Sequence, residues 1–316
     1  MTRLPASTVY HLPSTMSINE QQIEQIVRGV LSELTPGTRN PKPETRQASP
    51  AMLLKEKLRQ GVPTFGFWVS LESPSITEIM CRMGFDWIVI DAEHGHLDFK
   101  QIMEHIRIAN LLCTACFVHI SEIQVGLITR MLDLGADGIF LPQVRSAADV
   151  ELGMKYAKYP PLGIRGLAAE RSTRWGQAMR DRVRRANGEI MVIPMVETVE
   201  AAADLDAILA VPGVDAILFG PADFSSSSGY PGEWEGPGIA DEILRLQGRI
   251  RAKGLPCVVL ARDAADAQRR VREGFQMIGL GSDTGTLIRG ATEVLKAVSA
   301  PPASDAWTRD CLLPER

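Results

Sequence analysis

The sequence predicts an α/β fold, a (β/α)8 TIM barrel preceded by an N-terminal amphipathic helix on a flexible linker. Eight short apolar runs recur between positions 63 and 281, and helical patterns separate them. Strand-length runs that alternate with helices indicate a parallel sheet, because parallel strands need long crossover connections. Eight such units in about 250 residues fit a closed barrel better than an open sheet.

The strands and helices of the barrel follow in order along the chain. The predicted strands are PTFGFWV, FDWIVID, ACFVHI, DGIFLP, IMVIPMVE, DAILFG, LPCVVL and MIGLG. The predicted helices are SITEIMCRMG, FKQIMEHIRIAN, VGLITRMLDLG, AADVELGMKYAKY, TVEAAADLDAIL, IADEILRLQGRIRAKG and ADAQRRVREG. The segment RGLAAERSTRWGQAMRDRVRRANG fits the alternation least well, and we expect a long loop with part of a helix there. Neither GxGxxG nor GxxxxGK[ST] occurs, so dinucleotide and P-loop sites lose support.

The first 50 residues differ in character from the barrel. INEQQIEQIVRGVLSEL places its apolar residues on one stripe of a helix, with Asn19 as N-cap. The following TPGTRNPKPETRQASP contains four prolines and no apolar periodicity, which is typical of a linker. The predicted division is a disordered N-terminus (1–17), an amphipathic helix (18–35) that is a candidate targeting segment, a Pro-rich linker (36–50), the barrel (51–300) and a loose tail (301–316).

Composition excludes several classes of function. The 316 residues include 34 Lys plus Arg and 38 Asp plus Glu, a net charge of −4, so no basic nucleic-acid footprint exists. No apolar run reaches the ~18–20 residues of a membrane span, and the N-terminus lacks the apolar region of a signal peptide. Five scattered cysteines do not form a disulfide framework. We expect a cytoplasmic protein with neither nucleic-acid nor membrane partners.

Polar residues follow several of the predicted strands. In barrels of this kind the active site lies at the carboxyl ends of the strands, where these residues stand. These residues are Asp91, Glu93, His94, His119, Glu197 and Asp223. Glu197 and Asp223 end consecutive strands, and two carboxylates brought together there suit a divalent cation such as Mg²⁺ or Mn²⁺. Each acid could instead cap the helix that follows it, and spacing alone leaves both interpretations open.

Two further features have alternative interpretations. His94 is a candidate general base that Asp91, three residues earlier, would orient; the alternative is a histidine bonded to a loop carbonyl. GPADFSSSSGYPG would place the N–H groups of Ala222 and Asp223 at a helix start, where they bind a carboxylate well. The alternative is a plain turn that is rich in small residues.

Several motifs in the same order resemble the HpcH/HpaI family of class II, metal-dependent aldolases. That family includes the 4-hydroxy-2-oxoheptanedioate, 2-dehydro-3-deoxyglucarate and 2-keto-3-deoxy-rhamnonate aldolases. The resemblance covers about residues 52–298. Its most specific segments are FDWIVIDAEHG (85–95), LDLGADGIFLPQV (132–144), YPPLGIRG (159–166), MVETVEA (195–201), VPGVDAILFGPADFSSSSGYPG (211–232) and GLGSDTGTL (279–287).

The resemblance implies a metal site and a partner. Glu197 and Asp223 would hold a divalent metal (Mg²⁺, or Mn²⁺ or Co²⁺) that chelates pyruvate or a related 2-oxo acid and stabilises its enolate. The backbone at Ala222 and Asp223 would seat the carboxylate, and Trp68 would line this pocket. His94, supported by Asp91, would move the proton of the 4-hydroxyl group. The last helix of the family often swaps into a partner, which implies a homo-oligomer, a hexamer built from dimers.

Two positions depart from the family pattern. His119 stands where the family usually has an arginine that contacts the 2-keto oxygen, and Met195 stands where it often has glutamine. Losing one such donor costs ~10²–10³ in rate. His119 replaces the arginine only if it is protonated. Arg145, Arg165 and Arg171 are candidates to compensate, and we place Arg171 with the predicted substrate-binding residues.

The N-terminal helix resembles the encapsulation peptides that carry enzymes into bacterial microcompartments. The alternatives are an oligomer-contact helix and a disordered one. Such peptides begin near the first residue, so Met16 is a candidate true start. A shell would retain the aldehyde that a lyase releases.

Three functional hypotheses follow. The first is a metal-dependent carbon–carbon lyase that cleaves a 4-hydroxy-2-oxo acid to pyruvate and an aldehyde. The second is an oxaloacetate-type decarboxylase on the same metal site. The third is a catalytically degenerate barrel that serves as cargo or scaffold, which His119 and Met195 would favour.

Overall fold

The computed structural model describes residues 48–298, and these form a closed barrel of eight parallel strands in the order of the sequence. The strands are β1 (Thr64–Val69), β2 (Trp87–Asp91), β3 (Ala115–His119), β4 (Gly138–Leu141), β5 (Met191–Val196), β6 (Ile217–Phe219), β7 (Cys257–Leu260) and β8 (Met277–Ser282). Each lies within one of the eight predicted runs or overlaps it. The predicted (β/α)8 fold is therefore confirmed.

Twelve α-helices lie in the described part of the chain. They are α1 (Pro50–Arg59), α2 (Pro74–Met83), α3 (Phe99–Leu111), α4 (Val125–Asp133), α5 (Ala147–Ala157), α6 (Met179–Glu189), α7 (Val199–Ala203), α8 (Leu205–Ala210), α9 (Pro221–Ser227), α10 (Ile239–Ala252), α11 (Ala264–Glu273) and α12 (Asp283–Val298). The segment with the least regular pattern forms a loop, a short 3-10 helix (Arg171–Thr173) and α6.

The helix α1 closes the amino-terminal end of the barrel. Its apolar residues Ala51, Leu54 and Leu58 are buried, and they belong to one cluster with Trp87 and other residues that begin the strands. Pro50, predicted as the last residue of the linker, is the first residue of this helix, where the missing proline N–H costs no hydrogen bond.

Side chains fill the barrel interior below its open end. Trp87 is fully buried, and a β-carbon added at Gly66 would lie 2.0 Å from the Trp87 ring, so only glycine fits there. Phe117 and Phe140 pack at a centroid distance of 5.6 Å in the same cluster. Because these side chains fill the interior, the cavity that the strands enclose opens at their carboxyl ends.

The last described helix, α12, begins in the barrel and then leaves apolar side chains exposed. Asp283 is buried at its first residue and accepts hydrogen bonds from the N–H groups of Ser70 (3.0 Å) and Leu71 (2.8 Å) after β1. Five apolar side chains further along are 62% to 76% exposed: Leu287, Ile288, Val294, Leu295 and Val298.

The predicted N-terminus, helix (18–35), most of the linker and the tail (301–316) lie outside the described residues, so these assignments stay predictions. Between residues 48 and 298 no helix is long and apolar enough to cross a membrane.

Candidate active site

A cavity of about 600 Å³ opens at the carboxyl ends of the strands, and all eight strands or the loops after them contribute to it. Its lining includes seven of the nine predicted site residues: Trp68, Asp91, His94, His119, Met195, Glu197 and Asp223. It also includes residues that the site prediction left out, among them Glu93, Gln143, Trp234, Arg262 and Arg289. The fold thus brings together side chains that are up to 221 positions apart (68 to 289).

Glu197 and Asp223 face the same small space beside Gly220. A β-carbon added at Gly220 would lie 3.1 Å from Glu197 Oε2 and 3.1 Å from Asp223 Oδ2. The other carboxylate oxygen of Glu197, Oε1, accepts a hydrogen bond of 2.6 Å from the Gln143 N–H. The missing side chain at Gly220 therefore leaves room between one oxygen of each acid.

The electrostatics of this pair suit a cation. Burial raises the pKa of Glu197 to about 7, the charge of Asp223 adds to the rise, and the Gln143 N–H opposes it. No cluster of three or more His, Cys, Asp or Glu side chains in residues 48–298 is arranged to hold a metal ion. Two carboxylate oxygens with open positions are nevertheless the donor set that Mg²⁺ and Mn²⁺ accept, since these ions keep water and substrate oxygens as further ligands. The residues present fit such an ion.

His119 lies at the end of β3 between two carboxylates. Its Nε2 is 2.7 Å from Glu93 Oε2, and its Nδ1 is 3.5 Å from Asp91 Oδ1. Burial alone would lower the pKa of His119, but Asp91 and Glu93 outweigh it and raise the pKa to about 9. The imidazole is therefore a buried cation at neutral pH, which is the condition for it to stand in for arginine.

Glu93 and Gln143 are functional candidates that the site prediction missed. Glu93 forms an ion pair with His119 and accepts a hydrogen bond of 3.2 Å from Gln143 Nε2. Gln143 has a φ of +48°, and this strained backbone aims its N–H at Glu197. Only the segment LPQV within a family motif pointed to Gln143, because a backbone donor leaves no side-chain signature in a sequence.

The expected support of His94 by Asp91 is corrected by the geometry. Asp91 Oδ1 accepts hydrogen bonds from the backbone N–H groups of Glu93 (3.1 Å) and His94 (2.9 Å). The His94 imidazole instead lies 3.8 Å from Glu93 Oε2, and its side chain is 71% exposed. Asp91 thus fixes the loop that carries His94 and leaves the ring free to meet a substrate.

The other predicted site residues lie on β1, β5 and α9. Trp68 packs against Phe140 and His119 at centroid distances of 5.6 and 6.4 Å, and Met195 is buried beside it in the same cluster. Ala222 and Asp223 lie in the first turn of α9, where N–H groups have no acceptor within the helix. Asp223 lines the cavity, whereas the Ala222 side chain does not.

Arg171 does not reach the cavity, which corrects its predicted role in substrate binding. Its Nη1 donates to Asn110 Oδ1 (2.9 Å) and to the Leu134 carbonyl (2.8 Å), at the ends of α3 and α4. These helix ends precede strands, so Arg171 lies at the opposite end of the barrel. Arg165 is likewise bound there, to Asp133 at 2.6 Å, and Arg145 does not line the cavity.

Known proteins share this fold and these motifs. A model of the HpcH/HpaI aldolase/citrate lyase family matches residues 64–290. The chain belongs to this family. The resemblance that the sequence motifs carry is thereby confirmed at the family level.

Two relatives and one structure of the HpcH/HpaI family illustrate the match. A 4-hydroxy-2-oxovalerate aldolase from Novosphingobium aromaticivorans is 34% identical over 254 residues, which are 78% of this chain and 95% of the relative. A hydroxypyruvate/pyruvate aldolase from Pseudomonas aeruginosa is 32% identical over 78% of this chain and 92% of its own length. The crystal structure of an HpcH/HpaI aldolase/citrate lyase family protein from Burkholderia cenocepacia J2315 matches with a TM-score of 0.75 and 29% identity, over 78% of this chain and 99% of that one.

Proposed function

We propose that this HpcH/HpaI family member is a metal-dependent carbon–carbon lyase that cleaves a 4-hydroxy-2-oxo acid into pyruvate, or a related 2-oxo acid, and an aldehyde. The observation that carries the proposal is the space beside Gly220. A β-carbon added there would lie 3.1 Å from one carboxylate oxygen of Glu197 and 3.1 Å from one of Asp223. The names of the relatives support the reaction class, since both are aldolases that act on 2-oxo acids.

Glu197 and Asp223 would hold the divalent cation, with Mg²⁺ the first candidate and Mn²⁺ or Co²⁺ the others. The bound cation supplies Lewis-acid stabilisation of the negative charge that develops on the substrate during cleavage. The N–H groups of Ala222 and Asp223 hold the 2-oxo acid carboxylate. Trp68 and Met195 form the apolar wall beside it.

His119 and His94 have separate roles in the proton and charge balance. In the lyase direction the C3–C4 bond breaks, its electron pair stays with C3, and the 4-hydroxyl proton leaves as C4 becomes the aldehyde carbonyl. His94 takes that proton, directly or through water, and a proton then returns to C3 to give pyruvate. The His119 imidazolium supplies positive charge near the 2-keto oxygen, the task of the arginine in the family pattern.

Proton exchange of pyruvate tests this function without knowledge of the aldehyde. We expect the methyl protons of pyruvate to exchange with D2O in the presence of enzyme and Mg²⁺, and the exchange to stop with EDTA. NMR measures the rate. Absence of exchange would contradict the pyruvate-lyase proposal; metal-dependent loss of CO2 from oxaloacetate would then favour the decarboxylase, and no divalent dependence at all would favour a scaffold.

Metal affinity should depend on pH through Glu197. Its folded pKa of about 7 lies above the ordinary 4.5, so the metal-free protein loses stability as pH rises through this window and a cation offsets the loss. Because a proton on Glu197 competes with the ion, we expect Mn²⁺ to bind about tenfold more weakly at pH 6 than at pH 8. Calorimetric titration at both pH values measures this ratio. The control Glu200→Gln, an exposed acid on α7, should keep it, and equal affinities would refute the role of Glu197.

The assembly and location belong to the same proposal. The exposed apolar side chains of α12 support a homo-oligomer in which a second copy covers this helix, and a dimer-based hexamer is the expected form. Residues 18–35 are the proposed contact to a microcompartment shell or cargo protein, in a cytoplasmic enzyme. That segment lies outside the described residues, so this partner remains a prediction.

A further inference from the structure

Gln143, in the turn after β4, donates hydrogen bonds to two acids of the cavity. Its backbone N–H lies 2.6 Å from Glu197 Oε1, and its side-chain Nε2 lies 3.2 Å from Glu93 Oε1. Glu197 follows β5 and belongs to the proposed metal pair, whereas Glu93 follows β2 and pairs with His119. One residue therefore connects the acid that would hold the cation with the acid beside the imidazolium.

The turn holds Gln143 in a backbone conformation that favours glycine. Its φ is +48°, which other residues seldom adopt. The neighbouring residues fix the turn, because Pro142 and Val144 are buried and the Val144 carbonyl accepts a hydrogen bond of 3.1 Å from Thr198 Oγ1. Glycine would deliver the same N–H to Glu197 without this strain, so the side chain of Gln143 is the part that needs an explanation.

The Gln143 amide limits how the carboxylate of Glu93 can turn. Glu93 Oε2 lies 2.7 Å from His119 Nε2 and 3.8 Å from His94 Nε2, so two imidazoles compete for one oxygen. The hydrogen bond from Gln143 holds the other oxygen, Oε1. A carboxylate that is held at both oxygens keeps Oε2 directed at the buried ring of His119, and the exposed ring of His94 stays available to a substrate.

Only one of the charges around His119 depends on this amide. The ionisable groups that act on the ring are Asp91, Glu93, His94 and Glu197. Burial lowers the pKa of His119, and the hydrogen bonds and charges of Asp91 and Glu93 raise it. Asp91 is fixed separately, by the backbone N–H groups of the loop after β2. Loss of the Gln143 amide should therefore weaken the contribution of Glu93 and leave that of Asp91.

We propose that Gln143 is a positioning residue, whose side-chain amide holds Glu93 against His119 while its backbone N–H holds Glu197. The inference rests on the proposed lyase function and deepens it, since it explains how a histidine is kept in the place of the family's arginine. Gln143 acts through the two acids and takes no part in the bond-breaking step.

Gln143→Met tests the side chain alone, because methionine has a similar length, lacks the amide and keeps the backbone N–H. We expect kcat for exchange of the pyruvate methyl protons to fall by about tenfold at pH 8, as for loss of a hydrogen bond to a charged group. The fall of kcat at alkaline pH should begin about one pH unit lower than in the wild type. KM for pyruvate and the affinity for Mn²⁺ should stay within about twofold, since the N–H on Glu197 remains.

The same substitution in a His119→Arg background separates this role from a structural one. Arginine is a cation at every pH of the assay, so loss of the Gln143 amide should cost less than about threefold there. An equal loss in both backgrounds, or an unchanged alkaline fall in the Gln143→Met enzyme, would overturn the proposal. So would Mn²⁺ binding weakened by the same factor as kcat, because the effect would then lie at Glu197.

A second variant covers the case in which methionine destabilises the strained turn. Asparagine tolerates a positive φ, and its amide is one methylene group shorter, so Gln143→Asn should reproduce the loss of kcat in a folded protein. Wild-type kcat in Gln143→Asn would contradict the proposed contact with Glu93. The matched control is Gln124→Met, at the exposed N-cap of α4, where the Gln124 side chain makes no capping bond; it should keep wild-type kcat.

Histidine titration by NMR reads the contact without any turnover. In the Mg²⁺-loaded Gln143→Met protein the pKa of His119 should be about one pH unit lower than in the wild type. The His119 signal is identified by its absence from the His119→Arg spectrum. An unchanged pKa would overturn the positioning role. If the wild type exchanges no methyl protons, the proposed lyase function fails, and this titration still decides the role of Gln143.

Discussion

We expect Glu197→Gln to lower lyase turnover by at least about a thousandfold, since several kcal/mol of transition-state stabilisation depend on the bound cation. The amide has the shape of the carboxylate and can still accept the Gln143 N–H, but it lacks the charge that holds a cation. Asp223→Asn should have an effect of the same order. Steady-state cleavage assays across a range of Mg²⁺ concentrations measure both losses.

The folding of the Glu197→Gln protein supplies an internal check. Burial penalises the ionised Glu197, so the metal-free variant should unfold at a higher temperature than the metal-free wild type at pH 8. Loss of activity together with this gain in stability would separate a missing metal ligand from a misfolded barrel. Turnover above a tenth of wild type with unchanged metal dependence would mean that the metal site lies elsewhere. Glu200→Gln is the matched control and should remain active.

Replacing His119 should produce the second largest loss. His119→Gln removes the buried cation between Asp91 and Glu93, and we expect kcat to fall by about 10²–10³, as for loss of an oxyanion donor. His119→Arg restores a permanent cation and should retain activity within about tenfold of wild type. A comparison of kcat for the two variants isolates charge from shape.

The pH profile adds a signature that a structural role would not produce. The imidazolium is present below its pKa of about 9 and is lost above it, so wild-type kcat should fall as pH rises through 9. The same proton stabilises the folded state, because the folded pKa exceeds the ordinary 6.5; this contribution is complete below about 6.5 and disappears through about 9. His119→Arg should lack the fall in kcat. A His119→Gln enzyme as active as wild type would refute the charge role.

The fold was predictable from the sequence because the strands of this barrel are short apolar runs, and most of them are buried on both faces. Two features of the helices were not predictable in this way. The helix α1 follows a proline-rich stretch that suggests a linker, and no local pattern shows that its apolar side chains join the buried cluster that contains Trp87. TVEAAADLDAIL has one continuous helical pattern, yet the chain forms α7 and α8 with a break at Asp204, whose Oδ2 accepts a hydrogen bond from the Ala147 N–H.

The candidate site also has a part that the sequence predicts and a part that it does not. Strand-end position identified Asp91, His94, His119, Glu197 and Asp223, because a parallel barrel gathers those ends by construction. Sequence could not decide that His119 is protonated, since that depends on Glu93 at 2.7 Å across the β2–β3 edge. Nor could it separate Arg171 from Arg289. Both are arginines in loop-rich or terminal segments, and only the three-dimensional path of the chain sends one to the closed end and the other to the cavity.

Within residues 48–298, α1 and the side chains packed above it close the amino-terminal end of the barrel, so the cavity opens at the carboxyl ends of the strands. The ligand that binds deepest in the cavity, beside Glu197, must therefore enter first and leave last. For cleavage of the substrate proposed here, the aldehyde half lies nearer the mouth and has to depart before the 2-oxo acid can. A closed amino-terminal end, to which Leu54 and Leu58 of α1 contribute with the filled barrel interior, thereby implies an order of product release.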